Sequence, residues 1–214
     1  FVTSQMFAGT DKATNAKMIA TVTSLVVGIR LVEIIFDPLI GGIIDNTRTK
    51  YGKFKPWLVI GGVVSSVLLV AIFTNFFGLA THNTTLFIIL FAIVFILLDS
   101  FYSFKDIAFW SMIPALSTET KEREKFATFA RFGSSLGANG TTLVVVPIVT
   151  FFTYLVTHKH IEGASGWFWF GVIAAVISGG TAIITALGTK EVDTAIRQQN
   201  EKAGIKDVFK AVAQ

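Results

Sequence analysis

Five long apolar runs take up most of the chain, and they constrain its fold more than any other feature. They cover residues 14–44, 57–80, 86–116, 126–157 and 167–189. Each exceeds the roughly 20 residues that a helix needs to cross a bilayer. The runs are continuous, not alternating, which favours helices over the strands of a membrane barrel. Only 15% of the residues are charged, against about 25% in a soluble domain. The sequence therefore predicts an all-α polytopic membrane protein.

The basic residues predict how these helices are oriented. Lys and Arg concentrate in the loops 45–56 and 117–125 and in the tail 190–214. The positive-inside rule places these three segments in the cytoplasm, so we expect a multi-pass protein of the cell membrane. The net charge of +4 then reflects membrane orientation and does not indicate a nucleic-acid partner.

Successive helices reverse direction, so the basic loops fall on alternate connections, and this alternation predicts the domain organisation. We interpret residues 1–7 as the last turns of an earlier helix, so that 1–189 is an amino-terminal six-helix bundle with most of its first helix missing. Residues 190–214 are expected to link this bundle to a further, carboxy-terminal one. The apolar side chains in that tail have a helical spacing, which fits either an amphipathic surface helix or a plain linker helix. They are Ile205, Val208, Phe209 and Val212.

Charged residues inside the apolar runs are the second informative feature. A charge at mid-membrane costs roughly 2.5–3.5 kcal/mol, so such a residue is expected to face a protein interior or a water-filled cavity. The residues concerned are Arg30, Glu33, Asp37, Asp99, Lys105, Asp106 and Arg131.

The charges of the first run lie on one helix face. Arg30, Glu33 and Asp37 are three and four residues apart, which aligns them along a helix. Two acids one turn apart repel each other, and a bound cation or a proton relieves that repulsion. A purely structural ion pair with Arg30 accounts for the same spacing, and both interpretations stay open. Pro38 follows the second acid and is expected to bend the helix there.

A second polar stripe runs along the third run. Asp99, Ser103, Asp106 and Trp110 are spaced by four, three and four residues, and so share a face. Together with Arg131 they suggest a polar cavity built from several helices. A neutralising Asp106–Arg131 salt bridge and ordinary packing of Trp110 are the alternatives.

Nothing in the sequence matches a metal or catalytic motif. The chain has no cysteine, and its histidines, His82, His158 and His160, lack ligand spacing. We therefore expect no cofactor, no metal site and no enzymatic activity.

Two stretches carry a more specific signal. "DPLIGGIIDNTRTKYGKFKPW" and "KDIAFWSMIPALSTETKEREKFATFARF" resemble the sugar–cation symporters of the glycoside–pentoside–hexuronide family, within the major facilitator superfamily. The resemblance implies two six-helix bundles around a central sugar site, which opens alternately to either side of the membrane.

The resemblance also implies a cation site. Glu33 and Asp37 fall where sugar permeases of this family carry two cation-binding aspartates, and Ser103 falls where they carry a threonine that contributes to the same site. Glu33 is longer than the family residue, and Phe36 replaces a family asparagine. Fewer neutral oxygen ligands favour H⁺ as the coupling ion, and Na⁺ stays open.

A sugar site is implied in the same way. Asp106 matches a sugar-binding aspartate, Trp110 a tryptophan that lines the sugar pocket, and Arg131 an arginine that reaches sugar hydroxyls. Lys105 departs from the family pattern, and we expect it to donate a hydrogen bond to the sugar or to pair with a carboxylate.

The basic loop at 45–56 lies where members of the superfamily have a cytoplasmic gate motif. Asp45, Arg48 and Gly52 are expected to lock and turn this loop. The alternative is that the loop serves only to orient the protein in the membrane, a role for which its positive charges are sufficient.

These features together predict a secondary active transporter that imports a galactoside, a lactose-like sugar, coupled to a cation by alternating access. Exchange against galactose is an open variant of the same mechanism. Two alternatives remain, namely a proton-coupled exporter of drugs or other solutes with the same fold and, less favoured, a membrane-embedded enzyme.

Overall fold

A computed structural model describes residues 12–191, which form five long helices joined by short connections. Each of the five is long and apolar enough to span a membrane, so the predicted all-helical membrane fold is confirmed. Residues 1–7 and the predicted tail helix lie outside the described residues. The helices are α1 (Lys12–Asn46), α2 (Lys55–Phe73), α3 (Thr84–Met112), α4 (Thr120–Thr157) and α5 (Ala164–Gly188).

The second helix is shorter than the run of 57–80 that predicted it. Asn75, Phe76 and Phe77 have φ angles of 51°, 46° and 56°, in the left-handed region that a right-handed helix cannot include. A short helical turn, Leu79–His82, follows. The α3 helix then begins after Asn83, whose side chain accepts a hydrogen bond from the backbone N–H of Leu86. The apolar run thus contains both a helix and the turn that ends it.

Helix α2 lies between α3 and α5, and two glycines allow this close packing. A Cβ atom on Gly61 would lie 2.6 Å from the carbonyl oxygen of Phe101 and 2.7 Å from the backbone nitrogen of Lys105. A Cβ on Gly62 would lie 2.5 Å from the Cβ of Ala182, on α5. Small residues are the means by which membrane helices approach one another, since lipid offers no hydrophobic drive for association.

The buried apolar residues form a cluster at each end of the bundle. One cluster joins α1, α2, α3 and α5 near the loop 47–54, and Trp57 stacks on Phe104 beside it at 4.6 Å between ring centroids. The other joins α1, α2 and α3 at the opposite end, around Val22, Phe87 and Phe91. The polar residues of α1 and α3 lie between these two clusters along the chain.

Helix α4 contacts α5 through its last turns. The Thr153 hydroxyl accepts a hydrogen bond from the N–H of Gly163 at 3.0 Å, and a Cβ on Gly166 would lie 2.0 Å from the carbonyl oxygen of Val149. Residues 131–139 of α4 are all exposed within the described part of the chain. A cavity therefore separates the first half of α4 from α3 and α5.

We predict that Gly61→Ala destabilises the full-length carrier, whereas Gly180→Ala does not. The added methyl group at position 61 meets backbone atoms that cannot move aside, while a Cβ at position 180 finds nothing within 4 Å. Overpacking of this kind costs typically about 1–3 kcal/mol. Thermal unfolding in detergent measures the difference, and equal melting temperatures for the two variants would contradict the close packing of α2 on α3.

Candidate functional site

An ion-pair cluster joins α1 to α3 in the middle of the bundle. Arg30 Nη1 lies 2.7 Å from Glu33 Oε2 and 2.9 Å from Asp99 Oδ1. The Ser103 hydroxyl donates a hydrogen bond of 2.8 Å to Glu33 Oε1. These four residues, Arg30, Glu33, Asp99 and Ser103, are called the charge cluster below. The predicted face of α1 and the predicted stripe of α3 thus meet.

Asp37 lies one turn beyond Glu33 and does not share the arginine. Its Oδ1 atom is buried and has no hydrogen-bond partner among the described residues. The carboxylate is nevertheless close enough to both Asp99 and Asp106 for their charges to interact. Asp37 is therefore a partly buried acid beside other acids, with one oxygen that makes no hydrogen bond to the described residues.

A second group of polar residues lies further along α3. The side chains of Asp106 and Trp110 lie one helical turn apart on α3. The Arg131 guanidinium of α4 lies over the Trp110 ring, with 5.5 Å from Cζ to the ring centroid, which is the geometry of a cation–π contact. The fold thus brings together the three residues that the resemblance assigns to a sugar.

Lys105 lies next to Asp106 in the sequence but points towards α2 and α5. Its ammonium group donates a hydrogen bond of 2.8 Å to the Ser178 hydroxyl and lies 5.4 Å from the centroid of the Tyr102 ring. The stem of the side chain passes Gly61 and Gly62, where a bulkier residue would block it.

A cavity of about 900 Å³ lies between α3, α4 and α5, within the usual range for small-molecule sites. Its polar wall includes Tyr102, Lys105, Asp106, Ser178 and Thr181. Lys105 and Asp106 therefore both line this cavity, although their side chains leave α3 on different sides.

The basic loop between α1 and α2 is turned by a glycine and fastened by ion pairs and hydrogen bonds. Gly52 has a φ of +110°, a conformation that L side chains rarely adopt. The Lys53 ammonium lies 3.0 Å from Asp45 Oδ1, and the Trp57 indole donates to the Thr47 hydroxyl at 2.8 Å. Arg48 is exposed.

Glu191, which follows α5, caps the amino terminus of α2. Its carboxylate accepts hydrogen bonds from the backbone N–H groups of Lys53, Phe54 and Lys55 at 2.9, 3.1 and 3.3 Å. The Lys55 ammonium in return donates to the carbonyl oxygen of Thr189. An anion at this position also interacts favourably with the helix dipole. The end of this basic loop is therefore held by a residue more than 130 positions away in the sequence.

Three of these residues were outside the predicted site. Asp99 was part of the polar stripe, but no sequence signal named Arg30 of another helix as its partner. Ser178 and Glu191 gave no signal at all, because a serine in an apolar helix and an acid after a helix are common. The roles of the predicted residues remain proposals, since geometry alone assigns no ligand.

Comparison with known proteins adds the family context. Residues 7–214 match the family model described as "MFS/sugar transport protein". The chain is 51% identical over 213 residues to a lactose permease of Leuconostoc lactis, covering 99% of this chain and 33% of the relative. It is 45% identical over 214 residues to a lactose permease of Lactobacillus delbrueckii subsp. bulgaricus, covering 100% of this chain and 33% of the relative.

A relative named for a different sugar is also similar. A raffinose carrier protein of Pediococcus pentosaceus is 43% identical over 214 residues, covering 100% of this chain and 33% of the relative. The chain thus spans about a third of the length of the curated relatives that it matches.

We predict that Glu191→Ala loosens the start of α2. Hydrogen bonds to a charged group contribute about 1.5–3 kcal/mol, so the amides of 53–55 should exchange with deuterium roughly 10–100-fold faster in the variant. Glu124→Ala, which removes an exposed acid of α4, serves as the control and should leave this peptide unchanged. Equal protection of residues 53–55 in all three proteins would show that the capping contact contributes nothing.

Proposed function

The chain belongs to the MFS/sugar transport protein family, the glycoside–pentoside–hexuronide sugar–cation symporters, and on this premise we propose that the complete carrier imports a galactoside together with a cation by alternating access. One observation supports the proposal above all: the charged residues inside the apolar helices are not scattered. Most of them belong to two adjacent groups along α3: Arg30 contacts acids of α1 and α3 in one, and Arg131 lies over the Trp110 ring in the other.

The proposed sugar site consists of Asp106, Trp110 and Arg131. Carboxylate and guanidinium groups bind hydroxyls through charge-assisted hydrogen bonds, and an indole face packs against the C–H face of a pyranose. The Arg131 guanidinium already lies over the Trp110 ring, one helical turn from Asp106. Lys105 adds a donor from the same cavity, where it now contacts Ser178.

The proposed coupling site consists of Glu33, Asp37 and Ser103, and the contacts favour a proton over Na⁺. Both oxygens of Glu33 are engaged, one by Arg30 and one by Ser103. The guanidinium already places a positive charge among the acids, and a second fixed cation there would be repelled. A proton adds no such charge centre, because it neutralises a carboxylate directly.

The orientation in the membrane is part of the proposal. The loops 45–56 and 117–125 and the tail 190–214 carry the basic residues, which assigns them to the cytoplasm. We further propose that residues 1–189 form the amino-terminal bundle and that 190–214 connects it to a second bundle of the same protein. The relatives are about three times as long as this chain, which leaves room for such a bundle.

The mechanism then follows from charge. An unloaded acid in low dielectric is costly, and loading a proton removes that cost. The bound sugar satisfies Asp106 and Arg131 in the neighbouring group. The two bundles change orientation only when both sites are loaded or both are empty, and this condition couples the two fluxes. Exchange of a galactoside against galactose uses the same cycle without net proton movement.

We predict that labelled lactose accumulates in proteoliposomes containing the full-length carrier when the interior is made alkaline. A sodium gradient of equal size without a pH difference should give no accumulation. Both arms use the same vesicles, so leakage is matched. Accumulation driven by sodium alone would overturn proton coupling, and no lactose entry under either gradient would overturn the proposed substrate class.

We also predict that Asp106→Asn lowers the affinity for lactose roughly 10–100-fold, because a charge-assisted hydrogen bond contributes about 1.5–3 kcal/mol. Binding is measured by calorimetry on the purified carrier in detergent. Glu124→Gln, which neutralises an exposed acid outside the site, is the control. Unchanged affinity in Asp106→Asn would remove this residue from the sugar site.

A further inference from the structure

Asp99 is the most deeply buried acid of the charge cluster, and the proposed function does not yet use it. Its side chain is 3% exposed, whereas that of Glu33 is 18% exposed. A lone carboxylate at this depth in a membrane helix is costly. Arg30 Nη1 approaches its Oδ1 at 2.9 Å, but the contact lacks hydrogen-bond geometry, and Oδ1 has no donor among the described residues.

The carboxyl groups of Asp99 and Glu33 face each other across α1 and α3. Glu33 Oε2 and Asp99 Oδ1 lie 2.7 Å and 2.9 Å from the same nitrogen atom, Arg30 Nη1, so the two carboxyl groups are close neighbours. Two ionised carboxylates repel, and neither supplies a donor, so the contact is favourable only with one proton between them. Paired acids at such a distance share a single proton in this way.

Counting charges leads to the same result. Arg30 contributes +1, and Glu33 and Asp99 contribute −1 each, so the ionised cluster carries −1 and one proton makes it neutral. The other titratable groups on the neighbouring turns of α3 are Tyr102, Lys105 and Asp106. Helix α2 packs on the other side of α3, and its residues 56–73 include no titratable side chain.

We propose that Glu33 and Asp99 together bind the coupling proton, an inference that rests on the proposed function. Arg30 is the fixed counter-charge that limits the cluster to a single proton. A proton from the outer water forms an O–H bond on one carboxyl group and a hydrogen bond to the other. It leaves to cytoplasmic water in the inward-facing state, and the cluster returns to −1. The half-exposed Arg30 and the partly exposed Glu33 border the open side of the cluster, which is the side from which the proposed proton enters and leaves.

The test uses the full-length carrier in proteoliposomes, with labelled lactose and a trapped pH dye. In Asp99→Asn the cluster is neutral without a proton. We expect lactose counterflow within about threefold of the parent, loss of lactose-driven proton uptake, and an accumulation ratio near one under a pH gradient. Glu124→Gln, which neutralises an exposed acid of α4, should behave as the parent.

A second variant separates charge from structure. Arg30→Gln combined with Asp99→Asn again leaves one net negative charge, on Glu33, so lactose-driven proton uptake should return. A merely structural role for Asp99 predicts that the double variant is worse than the single one.

Each outcome decides the proposal. If Asp99→Asn still moves one proton per lactose, or if the double variant stays uncoupled, Asp99 does not share the coupling proton. If the single variant also loses counterflow, recovery in the double variant supports the pair and continued loss overturns it. Absence of lactose transport in the unmodified carrier would instead refute the proposed function, which keeps the two failures distinct.

Discussion

Arg30 is the residue on which the arrangement of the polar interior depends. Hydrocarbon provides no water to solvate a charge, so each acid inside the apolar helices needs a partner of opposite charge or a proton. One guanidinium contacts an acid of its own helix and an acid of α3. The ion pair therefore fixes the face that α1 presents to α3, and the hydrogen bond from Ser103 to Glu33 reinforces this orientation. The proposed proton coupling uses the negative charge that Arg30 leaves unbalanced.

Helix α3 connects the two polar groups mechanically. Asp99 and Ser103 belong to the charge cluster, while Asp106 and Trp110 form the proposed sugar site one to two turns further along. Because a helix is stiff over this length, a shift of α3 on loading one group moves the other. The same helix packs on α2 through Gly61, where backbone meets backbone. Coupling between sugar and proton is thus expected to run through one rigid element with a polar face and a tightly packed face.

Packing differs between the two sides of the bundle. On one side α2, α3 and α5 approach closely through small residues, and Glu191 fastens the loop that precedes α2. On the other side, the first half of α4, which carries Arg131, stands away from α3 across a cavity. Arg131 contacts the site through the Trp110 ring. In the proposed transport cycle the close-packed side serves as a frame, and the spaced side accommodates the solute.

The sequence by itself determined the five membrane helices, because hydrocarbon requires about 20 apolar residues with all backbone groups satisfied internally. It also determined which polar residues share a helix face, since that follows from the period of 3.6. The sequence did not predict where α2 ends, because apolar residues continue through the left-handed turn at 75–77. Only the tertiary structure decided which faces meet. The pairing of Arg30 with Asp99, the turn of Lys105 towards Ser178 and the capping of α2 by Glu191 join residues far apart in the chain. Such contacts depend on how closely glycines let the helices approach, and a sequence pattern read along one helix contains no information about its neighbour.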